Sequence, residues 1–343
     1  MSSAPLLEVK DLSTTIALRS GPIRPVDNVS LRAARGEIVG IVGESGSGKT
    51  MLVESIMGIV RHRRNVSVDG RVLLNGRDLV HLPTDHLRRD VWGAEIAMVF
   101  QNPMTSLNPV RSSGFQLIEA VRRHNPLSKR AAAEVATELM TSVGIPQPRE
   151  RLHSYPHQLS GGMRQRVMIA MALAGDPSLL LADEPTTALD VTIQAQILAL
   201  LLRLSRERSM GVVFITHDLG VVAEVADQVM VMYAGRIVES APTQSLFERP
   251  LHPYTWGLLG SSPSLETPKT RRLPSIPGLP PALSKLPGGC KFRARCKFAF
   301  DRCTEEPPLA ATIQQHADRC WLSDEDKARL RPLATQAVGV GGT

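Results

Sequence analysis

Eight residues, Gly43-Glu44-Ser45-Gly46-Ser47-Gly48-Lys49-Thr50, restrict the folds open to this chain more than any other segment. They follow an apolar, β-like run, Glu37 to Val42, and open a helix-like run from Met51 to Ile59. The glycines let the backbone curl so that successive N–H groups aim at one anion. The helix that follows turns its positive end toward the same point. Lys49 is then placed to reach β- and γ-phosphates, and the Thr50 hydroxyl to ligate Mg²⁺. The plain alternative is a Gly/Ser-rich turn with a solvated lysine, which requires neither the strand before nor the helix after.

Two later segments answer to the same chemistry. Leu179-Leu180-Leu181-Ala182-Asp183-Glu184 is an apolar run ending in two carboxylates, the pattern of a buried parallel strand whose C-terminal tip meets a ligand. Asp183 is expected to hold Mg²⁺, and Glu184 to orient and deprotonate an attacking water. Alone, such a pair reads as a solvated strand end. Between it and the glycine loop lies Leu159-Ser160-Gly161-Gly162-Met163, ahead of a helix-like run to Ala174. Ser160, Gly161 and Gly162 form a second hydroxyl-and-amide anion site at a helix start. A capped helix is the simpler explanation of that segment. One nucleotide needs only one cradle, however, so a second implies a dimer in which each partner closes over the other's nucleotide.

In order along residues 5–240, these motifs resemble the nucleotide-binding subunit of an ABC transporter. The matching residues are Gly43 to Thr50, Gln101 in Val99-Phe100-Gln101, Leu159 to Met163, Asp183-Glu184, Asp190 in Ala188-Leu189-Asp190, and His217 in Ile215-Thr216-His217-Asp218. The resemblance implies an α/β fold: a RecA-like P-loop ATPase core with an inserted helical subdomain and an antiparallel β part. It implies ATP and Mg²⁺, with Thr50, Gln101 and Asp183 at the metal. It makes Glu184, His217 and Gln101 the catalytic group, and places Asp190 across the dimer. The sequence departs from the family pattern twice. Met163 stands where the family has a Gln, and Ile16 stands near where an aromatic ring stacks on adenine.

The rest of the chain agrees with that class. Of its 343 residues, 43% are apolar, ample for a core and against wholesale disorder. Val167 to Ala174, a typical long apolar run, is far short of the roughly 20 residues that span a bilayer. The first twelve residues lack a basic start followed by an apolar stretch, so a secretory signal is not expected. The expected location is the cytoplasmic face of the inner membrane, attached through partners. A net charge of +7 raises the question of nucleic acid. The basic residues are scattered, though, and three Trp and three Tyr give little for base stacking, so no nucleic acid is expected.

Short apolar runs alternate with helical periods in a wound α/β pattern. The segment 102–157 turns helical, with 3.6-residue periodicity over Gly114 to Arg123 and Ser128 to Val143. The core resumes at Pro177 to Leu181, includes a long helix from Val191 to Arg208, and ends with strands at Val229 to Tyr233 and Arg236 to Glu239. The expected division is residues 1–240 for the nucleotide-binding domain, with its helical subdomain at about 102–157, and 241–343 for a C-terminal extension.

That extension begins with a proline-rich stretch, Pro263, Pro268, Pro274, Pro277, Pro280, Pro281 and Pro287, expected as an extended arm or linker. All four cysteines follow: Cys290, Cys296, Cys303 and Cys320. Inside a cell, disulfides are disfavoured, which leaves a metal ion, a cluster or plain buried thiols. No C-x-x-C knuckle occurs, which weakens structural zinc. A [4Fe–4S] cluster accepts four thiolates, and Lys291, Arg293, Arg295, Lys297 and Arg302 are candidates to offset its charge. Pro250-Leu251-His252-Pro253-Tyr254-Thr255, Gly289-Cys290, Arg295-Cys296, Arg302-Cys303, Gln101 to Pro109 and Tyr155 to Met163 resemble the oligopeptide and dipeptide permease ATPases. That resemblance implies a [4Fe–4S] cluster and import of peptides, with nickel or another small solute as alternative cargo. A nucleic-acid-linked ABC ATPase is the competing class. The resemblance further implies a second ATPase subunit, a paralogue rather than a second copy, two transmembrane permease subunits and an extracytoplasmic solute-binding protein.

Overall fold

The computed structural model describes residues 5–101, 106–187, 189–261, 275–313 and 315–331. Ala188, Pro263, Pro268, Pro274 and part of the Gln101 to Pro109 stretch therefore lie outside the described residues.

The strands and helices run in the following order. Strands β1 (Leu7–Leu18), β2 (Gly21–Ala33) and β3 (Ile38–Val42) precede helix α1 (Lys49–Met57). Then come β4 (Val66–Leu74), β5 (Arg77–Asp78), β6 (Ile96–Val99), α2 (Ser113–His124), α3 (Lys129–Ser142) and α4 (Gly161–Ala172). After these follow β7 (Leu179–Asp183), α5 (Val191–Arg208), β8 (Gly211–Thr216), α6 (Leu219–Val225), β9 (Gln228–Tyr233) and β10 (Arg236–Pro242). The C-terminal part adds α7 (Thr243–Glu248), α8 (Pro253–Ser261), β11 (Ala310–Ile313), β12 (His316–Asp318) and α9 (Asp324–Leu330).

The chain divides into two compact units, each built from separated stretches. The first comprises Met1–Glu8, Arg32–Ile38 and Val72–Ile215. In it β6, β7 and β8 run parallel, with Ile96 opposite Leu179 and Leu179 opposite Gly211. Every residue of β7 and β8 is buried, as a parallel strand covered on both faces requires. No strand occurs among the described residues between β6 and β7. This stretch holds α2, α3 and α4, which pack on one another. Serine hydroxyls start these helices: Ser112 accepts the Phe115 N–H and Ser128 accepts the Ala131 N–H. Arg122, Arg123 and His124 close α2 at its negative end.

The second unit comprises Val9–Leu31, Val39–Arg71 and Thr216–Thr343. Here β3 runs parallel to β9, and β10, β12 and β11 then follow in antiparallel order. The two strands from the C-terminal region were not expected from the sequence. They are four and three residues long, too short to show an alternating pattern. Their docking is tied by buried charge. Glu239 on β10 accepts His316 Nε2 at 2.8 Å and the Leu251 and His252 N–H groups at 2.6 and 2.9 Å. Lys327 pairs with Asp318 at 2.9 Å. One core joins Val42, Val231 and Leu246 to Tyr254 and Phe292 of the extension. Residues 275–287 contain no helix or strand, yet Ile276, Leu283 and Leu286 pack on that core. The described part of the proline-rich stretch is therefore a bound strap rather than a free linker.

Candidate functional site

The turn from β3 into α1 belongs to the second unit, and glycine is forced at two of its positions by crowding. A Cβ on Gly43 would run into the Met232 carbonyl oxygen, and one on Gly48 into the Pro25 carbonyl oxygen. Gly48 also adopts φ +107°, a left-handed conformation that side chains disfavour. Lys49 is buried and folds back over the loop. Its Nζ donates to the Gly43 carbonyl at 2.7 Å and the Glu44 carbonyl at 3.0 Å. The loop is braced by Ser47 N–H to Glu44 O and by Gly235 N–H to Ser47 O. Ser47 Oγ is buried with no hydrogen-bond partner among the described residues. An orphaned hydroxyl inside a ring of amides is what a phosphate oxygen would satisfy. Ser45, Gly46 and Thr50 face outward.

In the first unit, Asp183 ends β7 at 2% exposure. Glu184, one residue on, takes φ +45°, costly for a non-glycine and of the kind found at working sites. Its Oε2 accepts hydrogen bonds from Gln101 Nε2 at 3.0 Å and from Thr187 Oγ1 at 2.8 Å. Gln101 and Glu184 were expected in one site from opposite sides of the helical insertion, and they meet. Ser160 caps α4 by accepting the Met163 N–H at 3.3 Å. Met163 therefore serves there through its backbone, which a Gln would do equally. A Cβ on Gly162 would meet Ile193 of α5, whereas Gly161 leaves only ordinary contact with Leu189. Asp190 caps α5, accepting the Ile193 N–H at 2.9 Å.

Two predicted residues sit elsewhere in the second unit. His217 lies in the turn between β8 and α6, and the next residue, Asp218, caps α6. Ile16 is half-buried in β1.

The four cysteines line one narrow cleft of the second unit, beside His252, Phe298 and Trp321. Burial pushes three of the thiols up, Cys290 to about 11 and Cys320 to about 12, with Cys296 also raised. Burial likewise drives His252 down to about 4, so it is a neutral imidazole whose Nδ1 accepts the Tyr254 N–H at 3.1 Å. Among the described residues no three His, Cys, Asp or Glu side chains are grouped to hold a metal ion. Thiolates are soft donors that suit zinc and iron–sulfur chemistry alike. Two of the cations expected to offset a cluster's charge have other duties. Lys291 pairs with Asp27 at 2.6 Å, and Arg295 with Glu44 at 2.6 Å. Arg293 lines the cleft, and Arg302 lies 3.8 Å over the Trp321 ring.

Sequence reasoning missed Asp27, Tyr254, Glu239 and the Arg295–Glu44 pair, whose partners are far apart in the chain. The only signal was the Pro250 to Thr255 motif. Its parts now have reasons: Leu251 and His252 bind Glu239, Trp256 Nε1 donates back to the Pro250 carbonyl, and Tyr254 Oη accepts the Glu44 N–H.

Comparison with known proteins agrees with this geometry. Residues 26–187 match the family model for ABC transporters, and residues 238–303 match that for the C-terminal region of oligopeptide/dipeptide transporters. The second match takes in Cys290, Cys296 and Cys303 but stops short of Cys320. The chain is 48% identical over 325 residues to the dipeptide transport ATP-binding protein of Escherichia coli, covering 94% of this chain and 98% of that one. It is 47% identical over 328 residues to the oligopeptide transport ATP-binding protein of Bacillus subtilis, covering 95% and 91%. Among solved structures it resembles a dimeric ATP-binding cassette in a post-hydrolysis state bound to ADP and Pi. The TM-score is 0.61 and the identity 28%, covering 69% of this chain and 98% of that one. A cassette of Clostridium perfringens from the ABC transporter complex cbiONQ gives 0.61 at 25%, covering 72% and 92%.

Proposed function

The chain belongs to the ABC transporter family, in the branch of the oligopeptide and dipeptide transporter ATP-binding proteins, and from that premise we propose that it is the ATP-hydrolysing subunit of a bacterial peptide importer. The observation that carries this reading is the intact cradle at Gly43 to Thr50, within a chain that matches peptide-transport ATPases over more than nine-tenths of its length.

The chemistry needs positioning more than covalent work. Backbone N–H groups of the loop and the Ser47 hydroxyl bind phosphate oxygens. Lys49 swings its ammonium from the Gly43 and Glu44 carbonyls to the β- and γ-phosphates. Thr50, Asp183 and Gln101 would supply the hard oxygen donors that Mg²⁺ prefers. That ion neutralises charge on the phosphates when bound. Glu184, its carboxylate aimed by Gln101 and Thr187, orients and deprotonates the attacking water. His217 contacts the γ-phosphate, and Ile16 packs on the base. Ser160, Gly161 and Gly162 serve the nucleotide of a second ATPase subunit, a paralogue in this reading, with Asp190 at the same junction.

No helix of the described residues is long and apolar enough to cross a membrane. In this reading attachment to the inner membrane face goes through two permease subunits, fed by an extracytoplasmic binding protein. Val110, Phe115 and Tyr155 of the 102–157 segment are exposed at 75%, 38% and 41%, an apolar surface suited to docking membrane helices. In residues 241–343, Cys290, Cys296, Cys303 and Cys320 would hold a [4Fe–4S] cluster, with Arg293 and Arg302 offsetting its charge. All four thiols must lose protons for it to bind. Anaerobically purified protein should carry about four irons and four sulfides per chain. Stoichiometric zinc without iron would end the cluster assignment.

The functional test is ATP hydrolysis by the complex in liposomes. It should rise when peptide-loaded binding protein is added and vanish in Lys49→Met. Hydrolysis indifferent to peptide but stimulated by another solute would overturn the peptide cargo.

A further inference from the structure

The second residue of the phosphate loop is held by a guanidinium from the cysteine-bearing segment. Arg295 Nη1 lies 2.6 Å from Glu44 Oε2, and Nη2 lies 3.0 Å from Oε1, a two-point clamp on the carboxylate. The same guanidinium is fixed from behind, with Nε donating to the Pro277 carbonyl at 3.0 Å and Nη2 to the Gly278 carbonyl at 3.3 Å. The Arg295 side chain is 6% exposed and that of Glu44 26%, so solvent screens the pair poorly. Glu44 holds the guanidinium above its ordinary value, with burial opposing. The Glu44 N–H is also engaged, donating to Tyr254 Oη at 2.9 Å. Glu44 therefore has no amide to give an anion.

It does bring a negative charge into a turn built to receive a polyanion. In a weakly screened place, like charges cost as much as opposite charges gain. An uncompensated carboxylate there would oppose every phosphate that approached. Arg295 cancels that charge and ties the carboxylate to the extension at both oxygens.

We propose that Arg295 is a positioning residue for nucleotide binding: by clamping Glu44 it lets the loop accept a triphosphate, so that affinity for ATP is set partly by the segment that carries Cys290 and Cys296. This rests on the reading of Gly43 to Thr50 as the phosphate loop. It gives the extension a part in ATP binding that the chemistry of the loop alone does not call for. Arg295 adjoins Cys296 and shares the core residue Phe292 with it, so whatever seats the cysteine segment also seats the clamp.

The test is equilibrium binding of a fluorescent ATP analogue with Mg²⁺ to the full chain, with thermal melting alongside. Arg295→Ala should weaken binding about ten-fold or more, and the defect should shrink as salt is raised. Adding Glu44→Gln to Arg295→Ala should recover most of the lost affinity, because the offending charge is then gone. A purely structural role for Arg295 predicts no such rescue, since removing the carboxylate does nothing for the Pro277 and Gly278 carbonyls. Binding by folded Arg295→Ala within two-fold of wild type, or failure of Glu44→Gln to rescue, would overturn the proposal. If Arg295→Ala does not fold, Arg295→Gln decides, since it keeps donors for the Pro277 and Gly278 carbonyls but not the charge. It should bind at least about five-fold more weakly than wild type, and wild-type binding would refute the charge argument. Lys49→Ala separates the two claims. Unchanged binding there would sink the loop assignment itself, whereas lost binding there with normal binding in Arg295→Ala would sink only the clamp.

Discussion

The phosphate loop and the cysteine cleft lie in one unit of the molecule and are made by opposite means. The loop is a backbone device: eight consecutive residues, with glycine where a neighbouring carbonyl leaves no room for a side chain. The cleft is a side-chain device, assembled from residues between 252 and 322 and held by ion pairs to distant strands. A site of the first kind is intolerant of one added carbon but indifferent to most side chains around it. A site of the second kind tolerates local change yet depends on partners hundreds of residues away.

The sharpest way to break that contrast is Gly48→Ala. The added methyl meets backbone, which cannot rotate aside, at a left-handed position, so the loop itself must move. A displacement of that kind should cost roughly a hundred-fold in nucleotide affinity. Titration of the fluorescent nucleotide checks it, and near-normal affinity would mean that the loop is not rigidly specified.

Next in size is Asp27→Asn, aimed at the side-chain device. Asp27 is 10% exposed and accepts both Lys291 and Arg236, at 2.6 and 2.8 Å. Asn would leave Lys291 poorly solvated and without its counter-charge, while Arg236 keeps Glu306 at 2.7 Å, at a cost of about 3 kcal/mol. The expected reading is a lower melting temperature and earlier proteolysis of the extension, with little change in hydrolysis by the protein that remains folded. An unchanged melting curve would show that the strap docks by apolar packing alone.

How much of each device was legible follows from the same contrast. Gly43 to Thr50, the carboxylates at the tip of β7 and the Ser160 cap were readable because each is contiguous, and α5 spans the residues its periodicity predicted. The meeting of Gln101 with Glu184, 83 residues apart, followed only from family resemblance. The clamp on Glu44 from Arg295, the Asp27 pairs and strands β11 and β12 were not legible. An ion pair between residues 251 positions apart leaves no local pattern, and a three-residue strand has no period. The cysteines were visible as composition, while their convergence on one cleft was not.

Smaller effects sharpen the picture. Ser160→Ala removes the hydroxyl that accepts the Met163 N–H and should destabilise α4 by about 1 kcal/mol. If that serine also serves a partner's nucleotide, hydrolysis by the assembled importer should fall further than stability does. Equal loss in both would leave it a cap only.

Acid pH gives the mildest probe. Burial alone would raise the Asp27 carboxyl, but Lys291 and Arg236 hold it below the usual carboxylate range. A depressed carboxyl stabilises above its unfolded pKa, about 3.9, and loses that contribution as pH falls through the folded value. Stability should therefore drop below about pH 4, and Asp27→Asn should flatten that limb. The same slope in both proteins would assign the acid sensitivity elsewhere.

The proposed function divides labour between the loop, assigned to bind ATP, and Glu184, assigned to drive its hydrolysis. The most direct measurement of that division counts bound ATP and released phosphate on one preparation of the assembled importer carrying Glu184→Gln in this chain. The expected result is ATP retained at wild-type occupancy on this subunit, with its phosphate release down by about a hundred-fold or more. Phosphate release from this subunit at the wild-type rate, or loss of bound ATP, would contradict it.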